Sequence, residues 1–593
     1  MLNVALCQIN TTPNRFKQNF ELIVQCLKIA NEHSNDIPVD LVVFPELTIP
    51  GYLSKDLVYT EDYIRNNKKY LNLIIEEIDN NFRDLYDSRI VVGYFDINPE
   101  GIGKPFTNRL AVIHRGIIEA TYTKHLLPFY DVFDEARYCE PGKDHLVINI
   151  DGHKVGFTIC EDLWNDKLVD NYAYADNPIE YYRNVGCDTI VNISSSPFVQ
   201  EKPNFRQHMI EEISKDKKLT IIYCNQQGGQ DDLYFDGRST IVMNGMTHLI
   251  MDPTANDIEV EFHTTDKNNW GHFISNIRIK DEMEYLFNVI VNSLRDYIHK
   301  SGFKSIVLGS SGGIDSALVA ALAKHAIGGE NVHCIMMPSK YSSDGSVNDA
   351  KELHRNIGCN EYEMRIDPAD FYVKFKQGYD NGILTKADIF GTKEYTKHHP
   401  SADENLQARM RALNVMYFSN GFGALALTTG NKTELATGYF TLYGDSCGGY
   451  APLKDLYKMQ IFEMAKWINK KFGPTIPENI INKAPSAELA PDQTDEESLL
   501  PYPILDRIVK YFIEYYVTTP EGFKRTVVLD DEHSIDANYQ AAIAWMKTDS
   551  WKAEYKRIID LINRNEFKRQ QAAPGIKLSK VSFGSGRRVP IVK

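Results

Sequence analysis

Residues 304–325 read KSIVLGSSGGIDSALVAALAKH, and this stretch constrains the fold more than any other. An apolar run ends at Leu308. Gly309-Ser310-Ser311-Gly312-Gly313-Ile314-Asp315-Ser316 follows, and a helical pattern begins at once. The spacing predicts a strand over Lys304–Leu308 and a helix over Ile314–Lys324. Glycines let backbone N–H groups converge on phosphate, and a helix N-terminus adds positive dipole. Ser311 and Ser316 supply hydroxyl donors. Asp315 is an odd neighbour for phosphate unless a cation lies between them, which points to Mg²⁺. No Lys precedes the final Ser, so the loop is not GxxxxGK[ST]. Taken alone, the segment also fits a Gly-rich turn with Ser and Asp caps.

Strand and helix signals alternate around this loop. Strands are predicted over Asn331–Met337 and Gly423–Thr428, and helices over Glu282–His299, Gly345–Ile357 and Asp403–Ser419. Regular alternation implies a doubly wound α/β domain with its ligand site at the carboxyl ends of the strands. The first half differs. Strands are expected at Leu2–Ile9, Asp40–Phe44, Arg89–Phe95, Asn108–His114, Lys154–Ile159, Asp188–Ile193 and Leu219–Tyr223, some following one another without a helix. Apolar residues recur at three to four positions over Asn14–Ala30, one face of a helix. That mixture suggests packed sheets flanked by helices. A polar, aperiodic break over 263–280 divides the halves. Residues 570–593, rich in Gly and Arg, read in isolation as a tail.

Composition removes several function classes. Lys+Arg is 65 against 80 Asp+Glu, a net charge of −15, which opposes general nucleic-acid binding. The nine Cys are widely spaced with no CxxC, against a disulfide scaffold or a Cys-rich zinc site and in favour of a reducing, cytoplasmic setting. MLNVALCQIN lacks the basic n-region of a secretory signal. No apolar run approaches the ~20 residues of a membrane span.

The SGGxDS loop resembles the pyrophosphate loop of N-type ATP pyrophosphatases, which adenylate an oxygen, release pyrophosphate and let a nucleophile displace AMP. Downstream motifs narrow the resemblance to NAD⁺ synthetases. These are Glu404-Asn405-x-Gln407-Ala408-Arg409-x-Arg411, Thr428-Thr429-Gly430-Asn431-Lys432-Thr433-Glu434, Gly438-Tyr439-x-Thr441-x-Tyr443-Gly444-Asp445, Pro452 to Lys458, and Phe567-Lys568-Arg569. The resemblance implies ATP bound by Gly309 to Ser316, Thr429 and Lys458, with Mg²⁺ held by Asp315 and Glu434. It puts Asn405, Glu434 and Lys568 near deamido-NAD⁺, and Asp445 near its nicotinate end. Without the resemblance, Arg409 and Arg411 also fit a solvated helix face, Lys568-Arg569 a surface basic pair, and Glu434 a helix-face acid. Residues 483–500, acidic and Pro-bearing, resemble a loop that closes over the adenylate; an exposed connection is the alternative.

In the first half DLVVFPEL carries Glu46, TYTKHLLPFYDVFDEARY carries Lys124, and KVGFTICEDLW carries Cys160 at a strand exit. Such an exit would present the thiol as an exposed nucleophile, with the next backbone N–H serving an oxyanion. Singly, each residue fits a core Cys, a loop acid or a surface Lys. Together they resemble the Glu–Lys–Cys triad of the nitrilase superfamily. The resemblance implies Glu46 as general base, Lys124 at the oxyanion, where it also lowers the thiol pKa, and Cys160 as nucleophile. Tyr130, Glu161, Ser196 and Lys202 match glutamine-binding positions, and Glu135 an additional acid. Gln227 and Cys139 depart from the pattern, where apolar and aromatic residues are expected.

Ammonia is the product of the first half and the missing reactant of the second. The chain is therefore identified with the glutamine-dependent NAD⁺ synthetases. The resemblance implies a nitrilase-type α-β-β-α sandwich over 1–262, a linker over 263–280, and a doubly wound, Rossmann-like synthetase domain over 281–593. It implies glutamine, deamido-NAD⁺ and ATP as substrates, Mg²⁺ as cofactor, no nucleic-acid or membrane partner, and a homo-oligomer with a sheltered ammonia route. The alternatives are an RNA-modifying enzyme, a catalytically dead amidase scaffold, and an amidotransferase acting on another carboxylate.

Overall fold

Leu2–Ile9 shows how the first half is built. Leu2, Val4 and Leu6 point to one face of their sheet and Ala5, Cys7 and Ile9 to the other, and all six are buried. A strand covered on both faces reads as a continuous apolar run. The computed structural model describes residues 1–592 except 53, 165–173, 254–255, 266–273, 275–278, 368–400, 487, 490–498 and 530–536. The chain divides into two units, Met1–Glu282 and Met283–Lys593.

The first unit holds two six-stranded sheets. One runs Ile258–Thr265, Leu2–Ile9, Leu41–Val43, Arg89–Ile97, Phe106–His114, Ile117–Thr123. The other runs Met246–Ile250, Thr240–Met243, Thr220–Asn225, Thr189–Ser194, His153–Ile159, Leu146–Ile150. In each, the central three strands pair in parallel and the outer ones antiparallel. Leu6, Val43, Val91 and Val112 from the first sheet meet Phe157, Ile159, Val191 and Ile222 from the second in one core. The outer face of the first sheet packs on helices Phe16–Ser34 and Glu61–Asn81 through Ile23, Leu27, Ile74 and Ile78. That of the second packs on Pro178–Asn184 and Lys202–Lys217 through Tyr182, Ile210 and Ile213. The unit is the α-β-β-α sandwich expected. Its edge strand Ile258–Thr265 extends into the stretch read as a linker, most of which lies outside the described residues.

The second unit carries a four-stranded parallel sheet, ordered Asn360–Glu363, Val332–Met336, Ile306–Gly309, Leu425–Ala426. Helix Ser401–Phe422 covers one face, where Val415 meets Val307 and Ile335. The parallel α/β architecture is the one the alternation predicts. The last strand is shorter than the predicted Gly423–Thr428. Gly423 turns with φ +64°, and Thr428 leaves the ladder to donate to Tyr450 O at 2.9 Å.

Residues 570–593 are not a free tail over their first half. Ile576 and Leu578 are buried, and Asp455 Oδ2 accepts from the backbone of Leu578 at 2.8 Å and of Ser579 at 2.7 Å. Composition misled here because the anchoring partner is remote in sequence. Among the described residues no helix is long and apolar enough to cross a membrane, and none of the nine cysteines is disulfide-bonded.

Candidate functional site

In the first unit, Glu46 follows the strand Leu41–Val43, Lys124 follows Ile117–Thr123, and Cys160 follows His153–Ile159. Lys124 Nζ donates to Glu46 Oε1 at 2.7 Å and to both Glu135 oxygens at 2.8 and 2.9 Å, all three side chains being buried. Glu46, Lys124 and Glu135 all act electrostatically on Cys160. Burial raises Glu46 to about 7, against the pull of Lys124. Burial opposes the charge on Lys124, but Glu135 and Glu46 outweigh it and hold the ammonium well above its ordinary range. Cys160 has φ +45°, the sharp exit expected. Its thiol, however, is buried at 3% exposure. Burial and then Glu46 push the thiol pKa up, and Lys124 does not reverse this. The resting group is a thiol, and its proton must leave as the attack proceeds.

Four further residues hold this constellation. Asn108 Nδ2 donates to Glu46 Oε1 at 2.8 Å and to Glu135 Oε2 at 3.2 Å. Ser195 N donates to Glu46 Oε2 at 2.9 Å, and Tyr52 OH to Glu135 Oε1 at 2.6 Å. Asp162 accepts from Ile159 N at 2.9 Å, Leu126 N at 2.8 Å and Tyr122 OH at 2.8 Å. It thereby ties the turn at Cys160 to the segment that bears Lys124. None of these was singled out from the sequence. Only Asp162 left a trace, as the last residue of the CED triplet.

Tyr130 OH donates to Glu161 at 3.1 Å, and its ring meets Phe133 edge-on at 5.4 Å. Lys202 lies over Phe133 and Trp164, and burial followed by Arg206 lowers it to about 8. Tyr130, Glu161 and Lys202 thus share one neighbourhood. Ser196 is buried and donates its N–H to Asn225 Oδ1 at 2.8 Å, next to the Ser195 that holds Glu46.

In the second unit one cavity of about 570 Å³ is lined by every residue that the resemblance assigns to ATP, Mg²⁺ or deamido-NAD⁺. These are Gly309, Ser310, Ser311, Gly312, Gly313, Ile314, Asp315, Ser316, Asn405, Thr429, Glu434, Asp445, Lys458 and Lys568. Gly312 has φ +75°, and a Cβ there would stand 2.2 Å from Ser346 O, so the loop tolerates no side chain at that point. Ser316 Oγ donates to Gly313 O at 3.1 Å and holds the turn.

Asp315 Oδ2 lies 2.5 Å from Lys458 Nζ, and Glu434 Oε1 lies 3.2 Å from the same nitrogen. Two carboxylates therefore converge on one cation position beside the Gly-rich loop. Mg²⁺ is commonly held by one or two carboxylates together with substrate phosphates, so this donor pair fits it. Asn431 links the carboxylates: its Nδ2 donates to Asp315 Oδ1 at 2.9 Å, and it forms a reciprocal cap with Glu434. Asn405 accepts from Thr441 Oγ1 at 2.6 Å, and Asp445 accepts from Thr441 N at 2.7 Å. Lys568 Nζ donates to the carbonyls of Gly438 and Phe440, each at 2.8 Å. Arg569 is buried against Glu566 and is not part of a surface pair. Of the segment 483–500, residues 487 and 490–498 lie outside the described residues. Lys483, Glu488 and Leu489 line the cavity, with Glu488 Oε1 accepting from Ser346 Oγ at 2.6 Å.

Comparison with known proteins agrees with this division. Residues 3–254 match the carbon-nitrogen hydrolase family and residues 286–572 match NAD synthase. The glutamine-dependent NAD(+) synthetase of Thermotoga maritima is 34% identical over 100% of this chain and 98% of its own length. That of Synechocystis is 36% identical over 100% and 99%. Among solved structures, glutamine-dependent NAD⁺ synthetase from Acinetobacter baumannii, in complex with ADP, is 32% identical with a TM-score of 0.71, covering 100% of this chain and 98% of that one. With a Cys–Glu–Lys cluster in one unit, an SGGxDS cavity in the other and relatives matching across both, the chain belongs to the glutamine-dependent NAD(+) synthetase family.

Proposed function

We propose that this protein hydrolyses glutamine to glutamate and ammonia in its first unit, and in its second adenylates deamido-NAD⁺ with ATP and amidates it to NAD⁺, releasing AMP and pyrophosphate. The observation that carries this reading is the coexistence in one chain of two unlike sites whose chemistries need each other. Free ammonia is mostly protonated at neutral pH and is then no nucleophile. An amidase in the same chain supplies it uncharged.

In the first step Cys160 Sγ attacks the glutamine carboxamide carbon as Glu46 takes the thiol proton. Charge builds on the carboxamide oxygen, where the Lys124 ammonium and the Glu161 N–H, in the first turn of the short helix Cys160–Leu163, stabilise it. Glu46 returns the proton to the leaving nitrogen, the C–N bond breaks, and a thioester remains. Water, deprotonated by Glu46, then attacks the thioester carbon, the C–S bond breaks to release glutamate, and Glu46 returns the proton to Cys160 Sγ. Tyr130, Glu161, Ser196 and Lys202 hold the substrate in this reading. Because Glu46 must be ionised, and burial raises it to about 7, glutamate release should fall as pH drops through neutrality. At one pH unit below that value it should be about a tenth of the plateau. A glutamate-release profile that stays flat down to pH 5 would contradict the base assignment.

In the second unit the Gly309–Ser316 loop and Thr429 bind ATP, and Asn405, Glu434, Asp445 and Lys568 bind deamido-NAD⁺. Asp315 and Glu434 would hold Mg²⁺, which when bound neutralises charge on the triphosphate. Lys458 would lie near the phosphate oxygens, beside the same two carboxylates. Cytoplasmic location, a homo-oligomer and a sheltered path for ammonia belong to the same proposal. The test is a product assay with deamido-NAD⁺ and ATP, offering glutamine or ammonium. NAD⁺, AMP and pyrophosphate in equal amounts are expected from either nitrogen source. ATP left intact in the presence of deamido-NAD⁺ would overturn the reading.

A further inference from the structure

One cluster in the second unit has no part in the reaction above. Cys334, His354 and Cys359 each offer a ligand atom within 4.8 Å of the other two. Cys334 sits mid-strand, its Cα level with Leu308 on one neighbour and Glu361 on the other. His354 comes from helix Asp344–Ile357, and Cys359 from the turn that follows it. Cys334 and His354 are buried and Cys359 is half-buried. The two thiols act on each other, which lowers Cys359 and, with burial, raises Cys334. The imidazole is doubly engaged: Nδ1 lies 2.9 Å from Glu361 Oε2, and Nε2 lies 2.9 Å from Ser310 Oγ. Glu361, as a carboxylate, only accepts, so Nδ1 carries a proton toward it. Burial lowers the His354 pKa, which favours the neutral ring. Nε2 of the neutral ring then accepts the Ser310 hydroxyl.

We propose that Cys334 Sγ, Cys359 Sγ and the His354 imidazole form a binding site for a thiophilic divalent cation of the Zn²⁺ type, with a solvent water as the fourth ligand. Two thiolates and an imidazole select such an ion over Mg²⁺. Tetrahedral zinc with sulfur ligands at about 2.3 Å needs the sulfurs about 3.8 Å apart, so the cluster closes by no more than about 1 Å. Charge and protons balance simply. Both thiols give their protons to solvent as the metal–sulfur bonds form. The imidazole stays neutral, one ring nitrogen holding the metal and the other its proton. The site adjoins the Gly-rich loop, because His354 Nε2 lies 2.9 Å from Ser310 Oγ and Ser310 lines the cavity there. Thiol deprotonation also makes the affinity rise with pH.

The site can be tested without reference to the synthetase activity. The full chain, reduced with a phosphine and stripped with a chelator, is titrated with Zn²⁺ against a chromogenic chelator in excess Mg²⁺, and separately with Co²⁺. One Zn²⁺ per chain and a thiolate-to-cobalt charge-transfer band are expected. Cys359→Ala, at a half-buried turn, should weaken Zn²⁺ at least about 100-fold and remove the band while NAD⁺ synthesis with Mg²⁺ and no added Zn²⁺ is unchanged. Glu361→Gln should keep the band with an affinity loss of about tenfold. Failure to take up one equivalent, or equal uptake by Cys359→Ala, would overturn the proposal.

Discussion

Cys160→Ala should lower glutamine-dependent NAD⁺ synthesis at least about 10³-fold while ammonia-dependent synthesis stays within about twofold of the parent. The asymmetry follows from what each nitrogen source needs. Glutamine nitrogen is released only after a carbon–sulfur bond forms, and Cys160 is the thiol at the strand exit beside Glu46 and Lys124. Lys124 is a cation held by two carboxylates, and Glu46 is the proton acceptor. Added ammonia bypasses this chemistry, because the carboxylate it attacks is activated in the second unit. The substitution also suits its purpose structurally. It trims one buried sulfur, whereas Lys124→Ala would strand Glu46 and Glu135 as unpaired buried acids, at a cost of about 3–5 kcal/mol. A Lys124 variant that lost activity would therefore report folding as readily as chemistry. NAD⁺ formation with each nitrogen source, measured on the same preparation, separates the two units. Loss of both activities in a folded Cys160→Ala protein would show that the sites are not chemically separable.

Features whose chemistry is local were legible in the sequence. The Gly309–Ser316 loop announces itself because strand, glycines, hydroxyls and helix start are contiguous, and each is needed at the anion. The strand Leu2–Ile9 was readable to the residue because both of its faces are buried. Cys160, Lys124 and Glu46 stood out only as a set, each through its immediate context. What could not be read is convergence. Asn108, Ser195 and Tyr52 reach the Glu46–Lys124–Glu135 group from three separate segments, and nothing in their own surroundings distinguishes them from ordinary strand and loop polar residues. The thiol environment was misread for a related reason. A strand exit suggests exposure, but Cys160 lies in the core between the two facing sheets, and desolvation then outweighs the nearby cation. Residues 570–583 look unstructured by composition, yet they dock on Asp455 and on the buried ammonium of Lys432, which donates to Ser579 Oγ at 2.6 Å.

Asp315→Ala should abolish NAD⁺ synthesis from both nitrogen sources, in contrast to Cys160→Ala. Asp315 occupies the first turn of helix Ile314–Ile327 and is the strongest contact of Lys458 in the cavity. Its removal leaves Glu434 as the cavity carboxylate 3.2 Å from that ammonium, and Asn431 Nδ2 loses its acceptor. On the proposed reading the lost carboxylate is also one of two that hold Mg²⁺ against the triphosphate. A charge-stabilising contact of that kind is worth about 4 kcal/mol in the transition state, or roughly 10³-fold in rate. The fold should survive. An acidic residue in a helix first turn contributes about 0.3–1 kcal/mol through the dipole, and the Asp315 side chain is 18% exposed, so truncation opens no sealed cavity. The deciding measurement is pyrophosphate release with deamido-NAD⁺, followed at increasing Mg²⁺. A rate near that of the parent would remove Asp315 from the ATP site and the cation from its proposed place. A rate lost at every Mg²⁺ concentration, with glutamate still released in the first unit, would locate the defect at adenylation, upstream of any use of ammonia.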